Sequence, residues 1–224
     1  MAKRVERPGV RQGYDRWSRT YDSTPNPVVA LDRRYTLDVL KPAPGERILD
    51  AGCGTGANLK LIQRQGSRPV GVDFSMGMLN VAKRTCPKVP LTQADLDRGL
   101  PVKREVFDAI LCALVGEHLT NLPVTFGDAF KALVPGGRFV FSVFHPDMAE
   151  AGIEANFEDS SVEYRLGAQR YSVADYLNLI ADAGFREPKA REFVGDEALI
   201  QQIPQATKYV GHPLLLVVEA TRAS

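Results

Sequence analysis

Three glycines at alternate positions, Gly52, Gly54 and Gly56, constrain the fold of this 224-residue chain more than any other feature. They follow a short apolar run, Ile48-Leu49, that is typical of a buried strand, and a helical pattern begins directly after them. Glycine has no Cβ, so the backbone can turn tightly there and let a ligand lie against it. The N–H groups and the positive dipole end of the following helix would point at that ligand. The stretch therefore predicts a strand, a glycine turn and a helix.

Asp50 distinguishes between the kinds of ligand that this turn could bind. A glycine-rich turn can form without any ligand, and Gly52, Gly54 and Ala57 also satisfy the dinucleotide pattern G-x-G-x-x-G/A of an oxidoreductase. A carboxylate would repel a pyrophosphate, whereas at the end of a strand it suits a ligand that carries an ammonium group. The stretch Leu49–Gly56 closely resembles motif I of class I S-adenosylmethionine-dependent methyltransferases, whose cofactor carries an ammonium and a sulfonium. The resemblance therefore implies S-adenosylmethionine as cofactor.

Composition excludes several other classes of protein. The chain is 44% hydrophobic and 25% charged, and its formal net charge of +1 gives no general attraction for nucleic acid or an anionic membrane. Its cysteines form no C-x-x-C pair and, with the three histidines, no metal-ligand spacing. No apolar run has transmembrane length and no signal peptide is recognisable, which favours the cytoplasm. We therefore expect a small-molecule partner, no metal, no nucleic acid, no membrane, and a monomer or homodimer.

Strand and helix patterns alternate along the chain, which predicts an α/β protein with a mostly parallel sheet. After the first strand, further strands are predicted at Arg68–Asp73, Val89–Ala94, Val106–Ala113, Arg138–Phe144, Ala190–Val194 and His212–Thr221. The resemblance implies a Rossmann-like, doubly wound sheet of seven strands with the last strand antiparallel. Residues 1–12 are predicted to be a flexible tail and residues 13–224 a single domain. Within it, residues 13–41 form a helical lid and residues 147–168 an irregular insertion on the substrate side.

Acidic residues at the ends of successive strands are the predicted cofactor ligands. Asp73 ends the second strand about 20 residues after the glycines, where an acid reaches ribose hydroxyls in a doubly wound sheet. The alternative for Asp73 is a helix cap, although Ser75 can take that role. The resemblance implies that Asp95 binds the adenine amino group, whereas alone it is typical of a turn. The complete predicted cofactor-binding set is Tyr21, Asp50, Ala51, Gly52, Gly54, Asp73, Phe74, Met78, Asp95, Leu96, Cys112 and Leu114.

The leading candidates for catalysis are two histidines, and Glu117 and Tyr21 are lesser candidates for the base. His145 follows the fifth strand and is the first candidate base, because strand ends at the carboxyl edge line the ligand crevice; its alternative is a turn cap beside Pro146. His118 is the second, and its alternative is a residue of the cofactor pocket. Tyr14 and Tyr21 share one helix face, which either packs on the domain or covers the site.

The predicted function is transfer of a methyl group from S-adenosylmethionine to O, N or C of a small, apolar or aromatic molecule. The alternative is a catalytically silent domain that binds the cofactor and acts as a regulator or partner. The acids and glycines support cofactor binding under both interpretations. The sequence does not name the methyl acceptor, because many chemistries occur on this fold.

Overall fold

The computed structural model describes residues 4–223, and its main body is a twisted sheet between two layers of helices. The strands are Arg4–Glu6 (β1), Arg47–Ala51 (β2), Arg68–Asp73 (β3), Leu91–Gln93 (β4), Phe107–Ala113 (β5), Leu133–Phe144 (β6), Asn156–Asp159 (β7), Val162–Arg165 (β8), Phe185–Val194 (β9) and Pro213–Arg222 (β10). The helices are Val10–Trp17 (α1), Pro27–Leu40 (α2), Ala57–Arg64 (α3), Met76–Thr85 (α4), Leu122–Ala132 (α5), Pro146–Glu150 (α6), Val173–Asp182 (α7) and Glu197–Gln202 (α8).

The large sheet has the strand order β4-β3-β2-β5-β6-β10-β9, and β10 runs antiparallel to both of its neighbours. The strands from β4 to β6 are parallel, so their carboxyl ends meet at one edge. Asp50 near the end of β2 lies between Gly71 of β3 and Leu111 of β5. The predicted seven-stranded, mostly parallel sheet with an antiparallel last strand is therefore confirmed.

Alternate residues of the central strands face two separate hydrophobic cores, as strand geometry requires. Leu49 and Ile110 point into the core formed with α5 and α7, where Phe126 and Tyr176 are buried. Their neighbours along the strands point into the opposite core formed with α2, which contains Leu31. The sheet is thus buried on both faces. Packing on both sides holds the strands in place, and with them the side chains at their carboxyl ends.

A small second sheet differs from the sequence prediction. Strands β7 and β8 form a hairpin within the insertion that was predicted to be irregular, and β1 pairs in parallel with β8. The tail prediction is therefore wrong for Arg4–Glu6 and for residues 10–12, which belong to α1, while residues 1–3 lie outside the described residues. The edge of β8 supplies the backbone hydrogen-bond partners that a three-residue strand lacks by itself. The hairpin turns at Ser160, which has φ +57°, without the Asn-Gly signal that reveals such turns in a sequence.

This small sheet and α1 pack together, and we call β1, α1, β7 and β8 the cap. Trp17 is 2% exposed and stacks on Phe157 with ring centroids 5.0 Å apart. Tyr164 and Leu166 complete the same apolar cluster. The cap is also attached to the main body, because one Asp15 carboxylate oxygen accepts hydrogen bonds from the Gly77 N–H (2.8 Å) and from the Ser75 hydroxyl (2.7 Å).

The described helices include none long and apolar enough to cross a membrane.

Candidate active site

Two adjoining cavities lie between the cap and the carboxyl ends of the parallel strands. The small cavity has a volume of about 100 Å³ and is walled by the glycine turn, the ends of β3 and β5, and the turn after β4. The large cavity, of about 530 Å³, lies between α2, the insertion and the end of β6. Tyr14, Tyr21 and Leu114 line both cavities. A ligand in one cavity would therefore be next to a ligand in the other.

Asp73 holds the glycine turn in place at the edge of the small cavity. One of its carboxylate oxygens accepts a hydrogen bond from the Gly54 N–H (2.9 Å), and the other accepts one from the Ser75 N–H (2.8 Å). Burial raises the pKa of this carboxyl, although these backbone hydrogen bonds oppose the shift. Each oxygen has a second lone pair, so Asp73 can accept two further hydrogen bonds from hydroxyl groups in the cavity.

The glycines of the turn have different roles. Gly52 and Gly54 both have positive φ, +89° and +52°, which favours glycine over any residue with a side chain. A Cβ on Gly52 would collide with the Val115 side chain, whereas a Cβ on Gly54 would meet no described protein atom within 4 Å. Gly52 is therefore required for packing, and Gly54 leaves open space on the cavity side.

Asp50 is the least satisfied acidic group of the site. It is 1% exposed, and neither of its carboxylate oxygens has a hydrogen-bond partner within residues 4–223. Burial, reinforced by the charges of Asp32 and Asp73, raises the pKa of Asp50 to about 8. An unpaired buried carboxylate costs free energy unless a cationic group compensates it. The position therefore fits a ligand that brings its own positive charge.

Most of the predicted cofactor residues come together in the small cavity. Its walls include Tyr21, Gly52, Gly54, Asp73, Phe74, Met78, Asp95, Leu96 and Leu114 from the predicted set. Asp50, Ala51 and Cys112 do not line it, because each is buried to 1% exposure within the sheet. Asp95 also accepts a hydrogen bond from the Asp97 N–H (3.1 Å), which is the turn role considered for it.

Sequence reasoning missed some of the small cavity's walls. Asp97, Ala113, Val115 and Leu119 line it but were not among the predicted residues. Asp97 accepts hydrogen bonds from the N–H groups of Thr120 and Asn121, both at 2.9 Å, and so orders the chain after β5. The position of Asp97 in the turn after β4 was the one available signal. Val115 and Leu119 carry no chemical signature that separates them from ordinary core residues.

His118 lines the small cavity and contacts the cap. Its Nε2 is 2.8 Å from the Tyr14 hydroxyl, and burial lowers the pKa of His118 to about 4. A neutral imidazole with so low a pKa is a weak proton acceptor near neutral pH. The geometry thus favours the pocket role that was the alternative for His118, with Tyr14 held over the cavity.

His145 does not reach either cavity. It is 2% exposed and caps α6, where its Nδ1 accepts a hydrogen bond from the Asp147 N–H (3.2 Å). Its Nε2 faces Glu192 of β9 at 3.8 Å, and neither cavity wall includes it. The expected position at the strand end is correct, but the side chain turns toward the sheet edge formed by β9. The alternative, a turn cap, is therefore what the structure shows.

Comparisons with known proteins agree with this geometry. A family model described as a methyltransferase domain matches residues 49–141, from the glycine turn to β6. A demethylmenaquinone methyltransferase of Tropheryma whipplei is 34% identical over 61% of this chain and 60% of its own length. A relative with the same description from Mycobacterium tuberculosis is 29% identical over 84% of this chain and 75% of its own. The first of these matches thus spans about 60% of the relative's length.

Solved structures share the fold. An S-adenosylmethionine-dependent methyltransferase of Mesorhizobium loti superposes with a TM-score of 0.74 at 24% identity, covering 88% of this chain and all of that one. A geranyl diphosphate C-methyltransferase of Streptomyces coelicolor gives 0.66 at 16% identity, covering 87% and 81%. Together with the family model, these findings agree with the predicted resemblance. The chain contains a methyltransferase-domain match over residues 49–141 and has the fold of S-adenosylmethionine-dependent methyltransferases, the class whose cofactor is S-adenosylmethionine.

The glycine turn supplies a first test of cofactor binding. Gly54→Ala should weaken S-adenosylmethionine binding by roughly 10-fold or more, because a methyl group placed in the cavity forces the ligand to shift. The left-handed backbone should also cost about 1–2 kcal/mol of unfolding free energy. Isothermal titration calorimetry and urea denaturation measure the two effects.

The matched control for this test is Gly136→Ala. Gly136 also has positive φ, +77°, and a Cβ there would likewise meet no described atom within 4 Å, but it lies near the start of β6 and lines neither cavity. It should show the same loss of stability with wild-type cofactor affinity. Equal affinities in the two variants would remove Gly54 from the binding site.

Proposed function

We propose that this protein transfers a methyl group from S-adenosylmethionine to a small, neutral, hydroxylated aromatic molecule bound in the large cavity. The observation that carries the proposal is the pair of adjoining cavities. One has the glycine turn and acids that suit a cationic nucleoside cofactor, and the other has aromatic walls and the volume of a small-molecule site.

The small cavity and its floor offer complementary groups for each part of the cofactor. Asp73 would accept hydrogen bonds from the ribose hydroxyls with its remaining lone pairs, and the unpaired Asp50 would compensate the ammonium group. Apolar side chains of Phe74 and Met78 would enclose the adenine, with Asp95 at its edge. The present volume of about 100 Å³ is below the ~300–1,000 Å³ typical of small-molecule sites. Binding would therefore require Tyr14 and Tyr21 to move.

The charges around the large cavity indicate which acceptors it would admit. Trp17, Phe144, Phe157 and Tyr209 contribute aromatic surface. Lys208 is the single cation among the described residues of its walls, whereas three glutamates, Glu117, Glu154 and Glu158, line the same space. Phosphorylated or diphosphate acceptors would lack enough cationic partners there. The relatives described as demethylmenaquinone methyltransferases support a quinol-type ring as the first acceptor to test.

The reaction requires the protein mainly to position the two ligands and to exclude water from between them. When bound, S-adenosylmethionine supplies an activated methyl group whose bonding electron pair remains on sulfur. The cap would exclude water and hold the acceptor in line with that methyl, at the junction of the cavities where Tyr14, Tyr21 and Leu114 line both. The catalytic assignment of His118 and His145 stays a prediction from sequence that this geometry does not favour.

A panel of three acceptors tests this function. The probes are a chemically reduced short-chain demethylmenaquinone, histamine as a small cationic amine, and geranyl diphosphate as an anionic acceptor. S-Adenosylhomocysteine is quantified by chromatography with mass detection. We expect turnover with the quinol and none with the diphosphate. Cofactor binding without product from any probe would favour the silent regulatory alternative. Turnover of histamine alone would show that the acceptor is an amine and not a hydroxylated ring.

Cytoplasmic location and a monomeric or dimeric state stay predictions.

A further inference from the structure

The turn after β5 places one acidic side chain at the large cavity. Gly116, Glu117 and His118 form a short 3-10 turn, and a Cβ on Gly116 would collide with the ring of Phe141 in the core. The Glu117 carbonyl accepts a hydrogen bond from the Gln169 N–H (2.7 Å), which ties the same turn to the chain before α7. The backbone of Glu117 is therefore fixed on two sides, and its side chain lines the large cavity.

Glu117 is a buried acid that lacks full hydrogen bonding. The residue is 7% exposed, and its Oε2 has no hydrogen-bond partner in the part of the chain that the structure describes. Burial, with a contribution from the charge of Asp32, raises the pKa of Glu117 to about 7, although its own backbone N–H opposes the shift. Glu154 in the same wall differs, because Arg7 neutralises it at 2.8 Å.

We propose, resting on the function proposed above, that the Glu117 carboxylate accepts the hydroxyl proton of the methyl acceptor in the large cavity. Glu117 lines the large cavity three residues beyond Leu114, one of the three residues that line both cavities, so it lies on the side where the acceptor would meet the methyl group. A carboxylate with one unpaired oxygen binds a hydroxyl hydrogen directly. Neither histidine offers this, because His118 is bonded to Tyr14 and His145 lies outside the walls.

The proton balance is simple. Transfer of the hydroxyl proton to Glu117 leaves a phenolate-type oxygen, whose electron pair makes the oxygen or the adjacent ring carbon nucleophilic. In methylation on oxygen, Glu117 later releases that proton to solvent. In methylation on carbon, the oxygen regains a proton while the methylated ring carbon loses its own. Both routes form one bond to the methyl, break one carbon–sulfur bond and release one proton.

The groups that face Glu117 leave it as the principal titrating group near pH 7. The tyrosines and the thiol around Glu117 have raised pKa values and stay neutral. They are Tyr14 of α1, Tyr21 shortly after α1, Cys112 of β5 and Tyr176 of α7. His118 is neutral because its pKa is lowered to about 4. Burial raises the pKa of Asp32 of α2, although hydrogen bonds from Thr36 and Ser142, both at 2.6 Å, oppose the shift and favour its charged form. An ammonium group bound beside Asp50 would hold that carboxylate charged, so rates are compared at saturating cofactor.

Glu117→Gln tests the proposal. We expect the turnover rate with the quinol probe to fall by roughly 10²–10⁴-fold at saturating cofactor, with unchanged cofactor affinity. The wild-type rate should fall as the pH drops below about 7, because the protonated Glu117 cannot accept a proton, and this limb should be absent in the variant. Glu197→Gln, an exposed change on α8, is the matched control and should behave as wild type.

A binding measurement tests the same residue without turnover. Binding of 1-naphthol, followed by its fluorescence, should tighten in wild type as the pH rises from 6 to 8 and should not change in Glu117→Gln, since only the carboxylate forms a charge-assisted hydrogen bond with the hydroxyl. Should the Gln variant unfold, Glu117→Asp keeps a carboxylate and should keep the pH dependence. Wild-type turnover in the Gln variant, or lost cofactor affinity with normal naphthol binding, would overturn the proposal. Failure of wild type with every acceptor would instead overturn the proposed function.

Discussion

Asp50→Asn is expected to weaken S-adenosylmethionine binding by roughly 10- to 100-fold while making the ligand-free protein more stable. The loss of affinity follows from removal of a charge-assisted interaction with the cofactor ammonium group, worth about 1.5–3 kcal/mol. The gain in stability follows because the Asp50 carboxylate has two buried oxygens without partners in the described chain. Calorimetry at neutral pH and thermal unfolding without ligand measure the two effects.

The gain in stability should depend on pH in a definite direction. The folded-state pKa of Asp50 is raised to about 8, while the unfolded chain loses the same proton near pH 4. The native state therefore binds more protons than the unfolded state between these values, and wild-type stability falls as the pH rises through that window. The difference in melting temperature between Asp50→Asn and wild type should be small near pH 4–5 and largest above about pH 8.

Asp108→Asn is the control for this experiment. Asp108 is also a strand aspartate, but it lies at the opposite edge of the sheet and accepts a hydrogen bond from the Arg47 N–H (2.8 Å). Its replacement should lower stability slightly and leave cofactor affinity unchanged. An Asp50→Asn variant with wild-type affinity, or one less stable than wild type above pH 8, would contradict a role for Asp50 as an acid held ready for a cation.

The parts of the fold that were predictable from the sequence are those with local signals. Leu49 and Gly54 belong to a strand and a turn whose pattern is complete within ten residues, and β5 is an apolar run interrupted only by Asp108. Asp73 was predicted from its distance along the chain to the glycines, and the structure places it against Gly54. In each case the residue type and its spacing are enough, because a parallel sheet brings the carboxyl ends of its strands to one edge.

The cap and the acidic wall could not be predicted in the same way. Strand β1 pairs with residues about 160 positions away, and the three residues Arg4-Val5-Glu6 carry no local pattern that predicts such a partner. His145 was placed at the correct strand end, yet the direction of its ring depends on the turn into α6 and on the neighbouring strand β9. Glu117 was only a lesser candidate base beside His118, because its burial against the large cavity is not visible in the sequence.

Trp17→Ala is expected to open the cap without unfolding the main sheet. Truncation of a buried tryptophan costs about 3–5 kcal/mol, and here the lost contacts are those with Phe157 and the rest of the cap cluster. Amide hydrogen exchange should therefore become faster by orders of magnitude in residues 4–24 and 156–166, while protection in β5 and β6 changes little. Dissociation of S-adenosylmethionine should also become faster, because Tyr14 and Tyr21 are positioned over its cavity by the same segment.

Phe126→Ala provides the comparison that separates local opening from general destabilisation. Phe126 is fully buried beneath β6, where its ring lies 5.3 Å from that of Phe141, and its truncation costs about the same free energy as that of Trp17. This variant should lower the melting temperature and reduce protection throughout the sheet, with no preferential exposure of the cap. Cofactor dissociation that is faster in Trp17→Ala than in Phe126→Ala would identify the cap as the barrier to release. The reverse order would show that the core of the sheet, and not the cap, retains the cofactor.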